Sequence, residues 1–197
     1  MNKQMINLKF FNDLLKKYSS YNAQRHEVIK LSSDALRTSK QVIFSLHRDD
    51  HKEAAKLLGL AEASFTKLNK LFEKDADLKS EGSYLAALEE YVEAKFFNLY
   101  LTGKSIDYVD VGFPIGYDEY LSGICDFTGE LTRKAVLFAG DGKYEEVMGL
   151  KKTVEDIIAE LIKFDLVGKM RVKYDEAKRN LKRLEEIVYD LKIRGYK

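Results

Sequence analysis

The fold is most clearly indicated by residues 84–101, YLAALEEYVEAKFFNLYL. One stripe of this segment has three- and four-residue spacing and consists of Leu85, Leu88, Val92, Phe96 and Leu99. At about 100° per residue, a second broad face carries Ala86, Glu90, Glu93, Ala94, Phe97 and Leu101. Apart from its two acids this face is also apolar, and a helix that is apolar nearly all round is buried on both sides. The segment therefore predicts a central helix inside a helical bundle.

Helical spacing of apolar residues recurs along most of the remaining chain. It covers residues 22–48, 51–74, 117–139, 144–164 and 170–193, and a short helix is expected around residues 6–17. The clearest break is the loop Thr102–Gly116, which contains the only proline, Pro114. The sequence therefore predicts an all-α bundle of six or seven helices with short loops, forming one domain over residues 1–197.

Composition excludes several classes of protein. With 45% hydrophobic and 33% charged residues and a net charge of +1, the chain is not expected to be intrinsically disordered. No apolar run approaches the roughly 18–20 residues that a membrane span requires, and the first residues lack a signal-peptide core. Cys125 is the only cysteine, which excludes an internal disulfide and favours a cytoplasmic location.

The net charge of +1 conceals a strong segregation of charge along the chain. Residues 81–130 contain ten acids and two bases, a local charge of −8, so the rest of the chain carries +9. Residues 21–48 carry +3 and residues 169–197 carry +5. Because local fields decide which partners a surface attracts, the neutral total does not argue against a nucleic-acid ligand.

Two helical segments place carboxylates where water is scarce. Glu90 and Glu93 lie on the second apolar face of the central helix, where a carboxylate needs a partner, a raised pKa or a metal ion. Asp126, Glu130 and Arg133 share one face of the next helix. If the two helices pack antiparallel through the loop between them, four carboxylates converge. Such a set suits a hard cation such as Mg²⁺ or Mn²⁺, which can activate water and clamp a phosphodiester.

Other interpretations of these motifs stay open. A Glu-x-x-Glu pair is common on solvated helices, and a ferritin-like di-iron site is disfavoured because that fold uses Glu-x-x-His on facing helices. His47 and His51 could hold Zn²⁺ only on a continuous helix, and the helix is expected to end near Asp49. Gly123 and Gly129, which flank Asp126, would permit close approach of another backbone or a ligand.

Four ordered blocks of the sequence resemble a known family. They are RHEVIKLSSDALRTSKQVIFSLHR (25–48), LEEYVEAKFF (88–97), YLSGICDFTGELTRKAV (120–136) and LKRLEEIVYDLKIRG (181–195). The chain resembles the translin superfamily and, within it, the TRAX (translin-associated factor X) branch. The resemblance implies a seven-helix subunit that assembles into a closed shell, typically an octamer, and binds single-stranded RNA or DNA. In that family TRAX-type subunits supply a Mg²⁺-dependent endoribonuclease site, whereas translin-type subunits bind nucleic acid and form the scaffold.

The resemblance also assigns roles to individual residues. The TRAX-type acids correspond to Glu90, Glu93 and Asp126, which would coordinate Mg²⁺ (or Mn²⁺) and position or deprotonate the attacking water. Glu130 matches the same block as an outer ligand or a structural acid. The basic residues that we expect to grip phosphate are Arg25, Arg37, Lys40 and Arg133. The basic and His cluster that translin-type subunits carry before the third helix is missing, because this chain has Lys-Ser-Glu-Gly at residues 79–82.

The main hypothesis is therefore a Mg²⁺-dependent endoribonuclease that acts on single-stranded RNA inside a homo-oligomeric shell. Compactness and the TRAX-like pattern suggest an archaeal homologue, and a translin-type partner subunit is compatible with the resemblance. One alternative is a non-catalytic, translin-like protein that holds single-stranded DNA or RNA without cutting it. A weaker alternative is a helical interaction protein with no nucleic-acid role.

Overall fold

The computed structural model describes residues 6–109 and 112–195, and all regular structure in that range is helical. The elements are α1 (Leu8–His47), α2 (His51–Phe72), a 3₁₀ turn (Ala76–Ser80), α3 (Gly82–Leu101), α4 (Tyr117–Gly140), α5 (Tyr144–Leu161) and α6 (Gly168–Ile193). The predicted all-α class is confirmed. None of these helices is long and apolar enough to cross a membrane.

Of the six or seven helices expected, the described residues form six α-helices, so the seven-helix count that the resemblance implies does not hold for them. The short helix predicted around residues 6–17 is the first part of α1, which continues for 40 residues. The N-terminus of α1 is capped by Asn7, whose side chain accepts a hydrogen bond of 3.2 Å from the backbone N–H of Phe10. Because neither glycine nor proline occurs between this cap and His47, nothing interrupts the helix.

The bundle is built on α3, which is buried on both sides as its sequence predicts. Its buried residues are Tyr84, Ala87, Leu88, Tyr91, Val92, Glu93, Ala94, Phe96 and Phe97. Helices α1 and α2 form an antiparallel pair, and α1 and α4 both pack extensively against α3. Helix α3 runs parallel to α1, since Arg25 pairs with Glu81 at the start of α3 and His47 lies 4.8 Å from the ring of Phe97 near its end.

Helices α3 and α4 also run parallel, so the antiparallel packing expected from the sequence is wrong. Gly123 lies against Val92 in the middle of α3. Further along α4, the ring of Phe127 lies 6.3 Å from Phe96 and 6.4 Å from Phe97. Both helices therefore begin at the same end of the bundle.

The loop Thr102–Gly116 makes this parallel arrangement possible because it runs back along the bundle. The Val109 N–H donates a 3.1 Å hydrogen bond to the Tyr120 hydroxyl, and Phe113 stacks on Phe65 at 4.7 Å. The extended loop can reach about 50 Å, which exceeds the roughly 30 Å length of α3. The sequence-based expectation failed because the spacing of apolar residues does not show whether a loop of this length turns at once or runs back along the bundle.

Helix α6 completes the arrangement by packing parallel to α4. Ser122 contacts Met170 near the start of both helices, and the Asn180 side chain donates a 2.9 Å hydrogen bond to the Thr128 hydroxyl further along. Helix α5 links α4 to α6 and runs antiparallel to both. Cys125 is buried in this region, and burial raises the pKa of its thiol to about 12.

Candidate functional site

Four predicted acids gather where α1, α3, α4 and α6 approach one another. Glu90 and Glu93 project from α3, and Asp126 and Glu130 project from α4 at the same level of the bundle. The charges of Glu90, Asp126 and Glu130 all act on the Glu93 carboxyl, so the four acids lie near one another. The parallel register of α3 and α4 brings the two pairs together. We call these four residues the acidic cluster.

Glu93 is the most deeply placed member of the cluster, with only 8% of its surface exposed. Within the described part of the chain it makes no hydrogen bond or ion pair. Burial, followed by the charges of Glu90, Asp126 and Glu130, raises the pKa of Glu93 to about 9. The carboxyl therefore favours its protonated form at neutral pH unless a cation offsets the surrounding negative charge.

Two lysines compensate the neighbouring acids. Lys40 Nζ of α1 lies 3.3 Å from a Glu90 oxygen. Lys173 of α6 donates to Asp126 and lies 3.8 Å from Glu89. Burial raises the pKa of both Glu90 and Asp126, and these lysines oppose that shift. For Lys173 itself burial acts to lower the pKa, but the bond to Asp126 and the nearby acids raise it overall.

The fourth acid, Glu130, has its own partners. Its carboxylate contacts His47 Nε2 at the end of α1, and Arg133 Nη1 lies 3.7 Å away. The His47 side chain is buried, and its Nδ1 has no hydrogen-bonding partner among the described residues. A bridge from α1 to α4 therefore fixes one side of the acidic cluster.

A buried lysine holds the end of α1 in position for this bridge. Lys134 Nζ is within 3.4 Å of the Leu46 carbonyl, 3.5 Å of the His47 carbonyl and 2.7 Å of an Asp49 oxygen. The last carbonyls of a helix lack intrahelical partners, and this ammonium group supplies one. Asp49 adopts a left-handed φ of 60°, which ends α1. His47 and His51 therefore lie on different helices and do not form the continuous-helix zinc pair.

Sequence reasoning missed His47, Lys134 and Lys173 as members of the site. For His47 a signal existed, because it lies seven residues after Lys40 and so two turns along the same face of α1. Lys173 belongs to a run of bases in which nothing distinguishes it from its neighbours. Lys134 follows Arg133 directly, and only the packing shows that one is buried while the other reaches the surface.

The predicted phosphate contacts divide into two groups. Lys40 and Arg133 lie at the acidic cluster and have 61% and 51% of their side chains exposed. Arg25 pairs with Glu81 and lies about 22 Å from Lys40 along α1. Arg37 is exposed and pairs with a neighbour on its own helix. Only the first two therefore border the site directly.

The two glycines on α4 differ in their surroundings. A Cβ on Gly123 would lie 2.5 Å from Val92 and 3.0 Å from the Glu89 carbonyl oxygen, so close approach of α3 depends on this glycine. A Cβ on Gly129 would meet only the Asn180 side chain at 3.5 Å, an ordinary contact. The predicted close approach is confirmed at Gly123, where it sets the spacing of the helices that carry the acids.

The donor chemistry of the cluster fits a hard divalent cation. Carboxylate oxygens are the ligands that Mg²⁺ and Mn²⁺ prefer, and a cation would relieve the unmatched environment of Glu93. Within residues 6–109 and 112–195, however, no group of three or more His, Cys, Asp or Glu side chains is arranged to hold an ion as it stands. Ion binding would need Lys173 to release Asp126 and the carboxylates to turn inward.

Comparison with known proteins identifies relatives of the chain. A family model described as the translin family matches residues 23–195. Translin of Gallus gallus is 33% identical over 43% of this chain and 37% of its own length. The translin-associated protein X homolog of Schizosaccharomyces pombe is 31% identical over 56% of this chain and 53% of its length. An uncharacterized protein of Methanocaldococcus jannaschii is 27% identical over 94% of this chain and 86% of its length.

The matched region covers about half or less of the translins, at 37% of the Gallus gallus protein and 52% of the Bos taurus protein. Among solved structures, AfC3PO in complex with duplex RNA superposes with a TM-score of 0.82 at 22% identity, covering 93% of this chain and 97% of that one. Apo-NeC3PO gives 0.81 at 24% identity, covering 95% and 98%. At this identity the likeness establishes the fold alone.

Proposed function

The chain belongs to the translin family, and we propose that it is a TRAX-type subunit that cleaves single-stranded RNA in a Mg²⁺-dependent reaction. The observation that carries this proposal is Glu93, a buried carboxyl whose neighbours are three further carboxyl groups. A purely structural helix gains nothing from such an arrangement, because burying unmatched acids costs free energy. The TRAX-type assignment is supported by the presence of Glu90, Glu93 and Asp126 together.

Glu90, Glu93 and Asp126 are the residues that would hold Mg²⁺, and Mn²⁺ suits the same donors. The ion, when bound, supplies polarisation of the phosphodiester and activation of the attacking water. For the ion to bind, the Glu93 carboxyl must give up its proton. Glu130 would then serve as a proton acceptor beside the ligands, oriented by its contact with His47.

Two exposed bases at the rim would position the substrate. Lys40 and Arg133 border the acidic cluster from α1 and α4, and although they pair with Glu90 and Glu130, more than half of each side chain is exposed to solvent, where phosphate can reach it. Phosphate contacts of this kind orient a nucleic acid without reading its sequence. Lys173, once released from Asp126, is a third cation at the same site.

Cleavage of a labelled single-stranded RNA in Mg²⁺ and in EDTA tests the proposal. Glu93→Gln should lower the rate by about 100-fold or more, the scale of losing a group that acts in the reaction. Glu119→Gln is the matched control, because Glu119 is equally buried on α4 but lies outside the acidic cluster. Equal cleavage by the wild type and Glu93→Gln, or no cleavage by the wild type, would contradict the proposal.

The second candidate is a translin-like protein that binds nucleic acid without cutting it. It is favoured by the ion pairs of Lys40 and Lys173, which already neutralise part of the acidic cluster. It predicts salt-sensitive binding that needs no divalent ion and survives Glu93→Gln. Duplex RNA belongs in the same assay, since the AfC3PO complex contains it.

The proposal extends to assembly and source. Copies of this chain form a closed homo-oligomeric shell, an octamer by analogy with the family, in the cytoplasm. A translin-type partner is the alternative composition of the shell. The extensive match to the Methanocaldococcus jannaschii protein supports an archaeal source. Native mass measurement of the purified chain gives the number of copies directly.

A further inference from the structure

Helix α1 begins with a segment that no described part of the chain covers. Every residue from 6 to 20 is exposed, and the first buried residue of α1 is Val28. At 1.5 Å per residue, Leu8 lies about 30 Å from Val28 along the axis. We call residues 6–20 the N-terminal arm.

The N-terminal arm has one broad apolar face. Its exposed large apolar residues are Ile6, Leu8, Phe10, Phe11, Leu14, Leu15 and Tyr18, and those within the helix occupy about half of its circumference. Each of these side chains is 48–63% exposed, and a standard protein interface buries about 800 Å² on each partner, so this face could supply a large part of one. Isolated proteins rarely expose an apolar patch above roughly 300–600 Å². The N-terminal arm therefore has the character of an interaction surface.

A second apolar surface lies elsewhere on the same chain. A lateral groove with a volume of about 460 Å³ runs between residues 106–108, α4 and the segment that follows α5. Its apolar lining includes Ile106, Tyr108, Tyr117, Leu121, Ile124 and Phe164. Tyr108 and Tyr117 are each 79% exposed, so within the described chain the groove has no cover.

The charges around the two surfaces are complementary. The polar face of the arm carries Lys9, Lys16 and Lys17 against one acid, Asp13. The groove and its continuation along α5 are lined by the acids Asp107, Asp156 and Glu160, with no Lys or Arg among the described lining residues. The two α5 acids pair with Lys152 and Lys163, which cancel their charge, so Asp107 provides the net negative charge of the lining.

We infer that the N-terminal arm of one copy packs into the lateral groove of a second copy. The arm cannot fill its own groove, because it continues rigidly from α1, which packs mainly on α2 and α3. A second copy supplies an apolar surface of opposite charge to each arm. Because arm and groove are different patches, a one-way contact between copies builds a ring or an open filament, whereas two copies that exchange arms form a two-fold symmetric dimer. This inference rests on the self-assembly in the proposed function and names the contact that produces it.

Light scattering on the full chain tests the inference with three charge substitutions. Phe11→Glu on the arm and Phe164→Glu in the groove should each weaken association by about 100-fold or more, as for a central interface residue. Leu60→Glu is the control, since Leu60 is similarly exposed on α2. Circular dichroism checks folding, and neither target side chain is buried.

Mixing the two weakened variants gives the sharpest result. The groove of Phe11→Glu and the arm of Phe164→Glu are both intact, so the mixture should re-associate into a mixed pair although neither variant assembles alone. If Phe11→Glu keeps the wild-type mass, the arm contact is wrong while the proposed shell stands.

If the wild type is monomeric, both the arm contact and the shell fail, and the nuclease proposal is judged separately by RNA cleavage. Wild-type binding to vesicles of anionic lipid that Phe11→Glu abolishes, with oligomer mass unchanged, would instead make the arm a membrane contact and overturn the inference.

Discussion

The ionisation of a single residue, Glu93, determines much of the behaviour of the site. Its carboxyl is buried, lacks a hydrogen-bonding partner in the described chain, and sits among three other acids. A cation or a proton must offset this environment. In the proposed site, protons and divalent ions would compete for the same carboxyl, which would link the stability of the protein to ion binding.

Glu93→Gln should remove a pH dependence of stability in EDTA-treated protein. The pKa of Glu93 is raised in the folded state from 4.5 to about 9, so the folded chain holds a proton that the unfolded chain releases. The stabilising contribution is fully present below about pH 4.5 and declines as pH rises toward 9. As the pH rises from 6 to 8, the free energy of unfolding of Glu93→Gln should therefore increase by about 1–3 kcal/mol relative to that of the wild type.

Urea unfolding at the two pH values measures this difference. Glu93→Asp is the control, because it keeps an ionisable carboxyl at the same position and should retain the pH dependence. Parallel pH profiles for the wild type and Glu93→Gln would show that Glu93 does not hold the proton.

Among the elements, the contact between α3 and α4 controls the spacing of the acids. Because Gly123 has no side chain, α3 approaches so closely that a Cβ at this position would collide with Val92 and the Glu89 carbonyl oxygen. Backbone atoms cannot yield as a flexible side chain can. A larger residue must therefore push α4 away from α3 and separate Glu93 from Asp126.

Gly123→Ala should destabilise the fold by about 1–3 kcal/mol, the usual cost of overpacking a tight interior. Gly129→Ala is the matched control six residues further along α4, where a methyl group fits. It should be neutral or stabilise the helix by up to about 1 kcal/mol. Denaturant unfolding of both variants gives the comparison, and equal stability changes would contradict the role assigned to Gly123.

The elements also show how far the sequence could predict this structure. The apolar faces of α3 indicated its central position, and the spacing of the acids placed Glu90 and Glu93 on one face of α3 and Asp126 and Glu130 on one face of α4. Helix direction was not predictable, because periodicity defines a face and not the path of the loop that joins two helices. Contacts such as Lys173 with Asp126 depend on packing between residues distant in sequence, for which local spacing contains no signal.

At the scale of the whole molecule, folding brings segregated charge back together. The chain carries −8 over residues 81–130 and +9 elsewhere. Lys40 from α1 and Lys173 from α6 meet the acids of α3 and α4 in the bundle. The near-neutral total therefore arises from an acidic centre bordered by bases. The positive potential of the bases would attract phosphate to the rim, and the negative potential of the acids would attract cations to the centre.

This arrangement predicts a site-specific salt dependence of nucleic-acid binding, measured by titrating labelled single-stranded RNA at several salt concentrations without divalent ions. The logarithm of affinity falls with the logarithm of salt by about 0.7 per phosphate contact on a single strand. Lys40→Ala should therefore reduce the slope by about 0.7 and weaken binding most at low salt. Lys67→Ala removes the same charge from the exposed surface of α2 and should leave the slope unchanged. Equal salt-dependence slopes for the two variants would mean that RNA binding depends on the net charge of the protein and not on the bases at the rim of the acidic cluster.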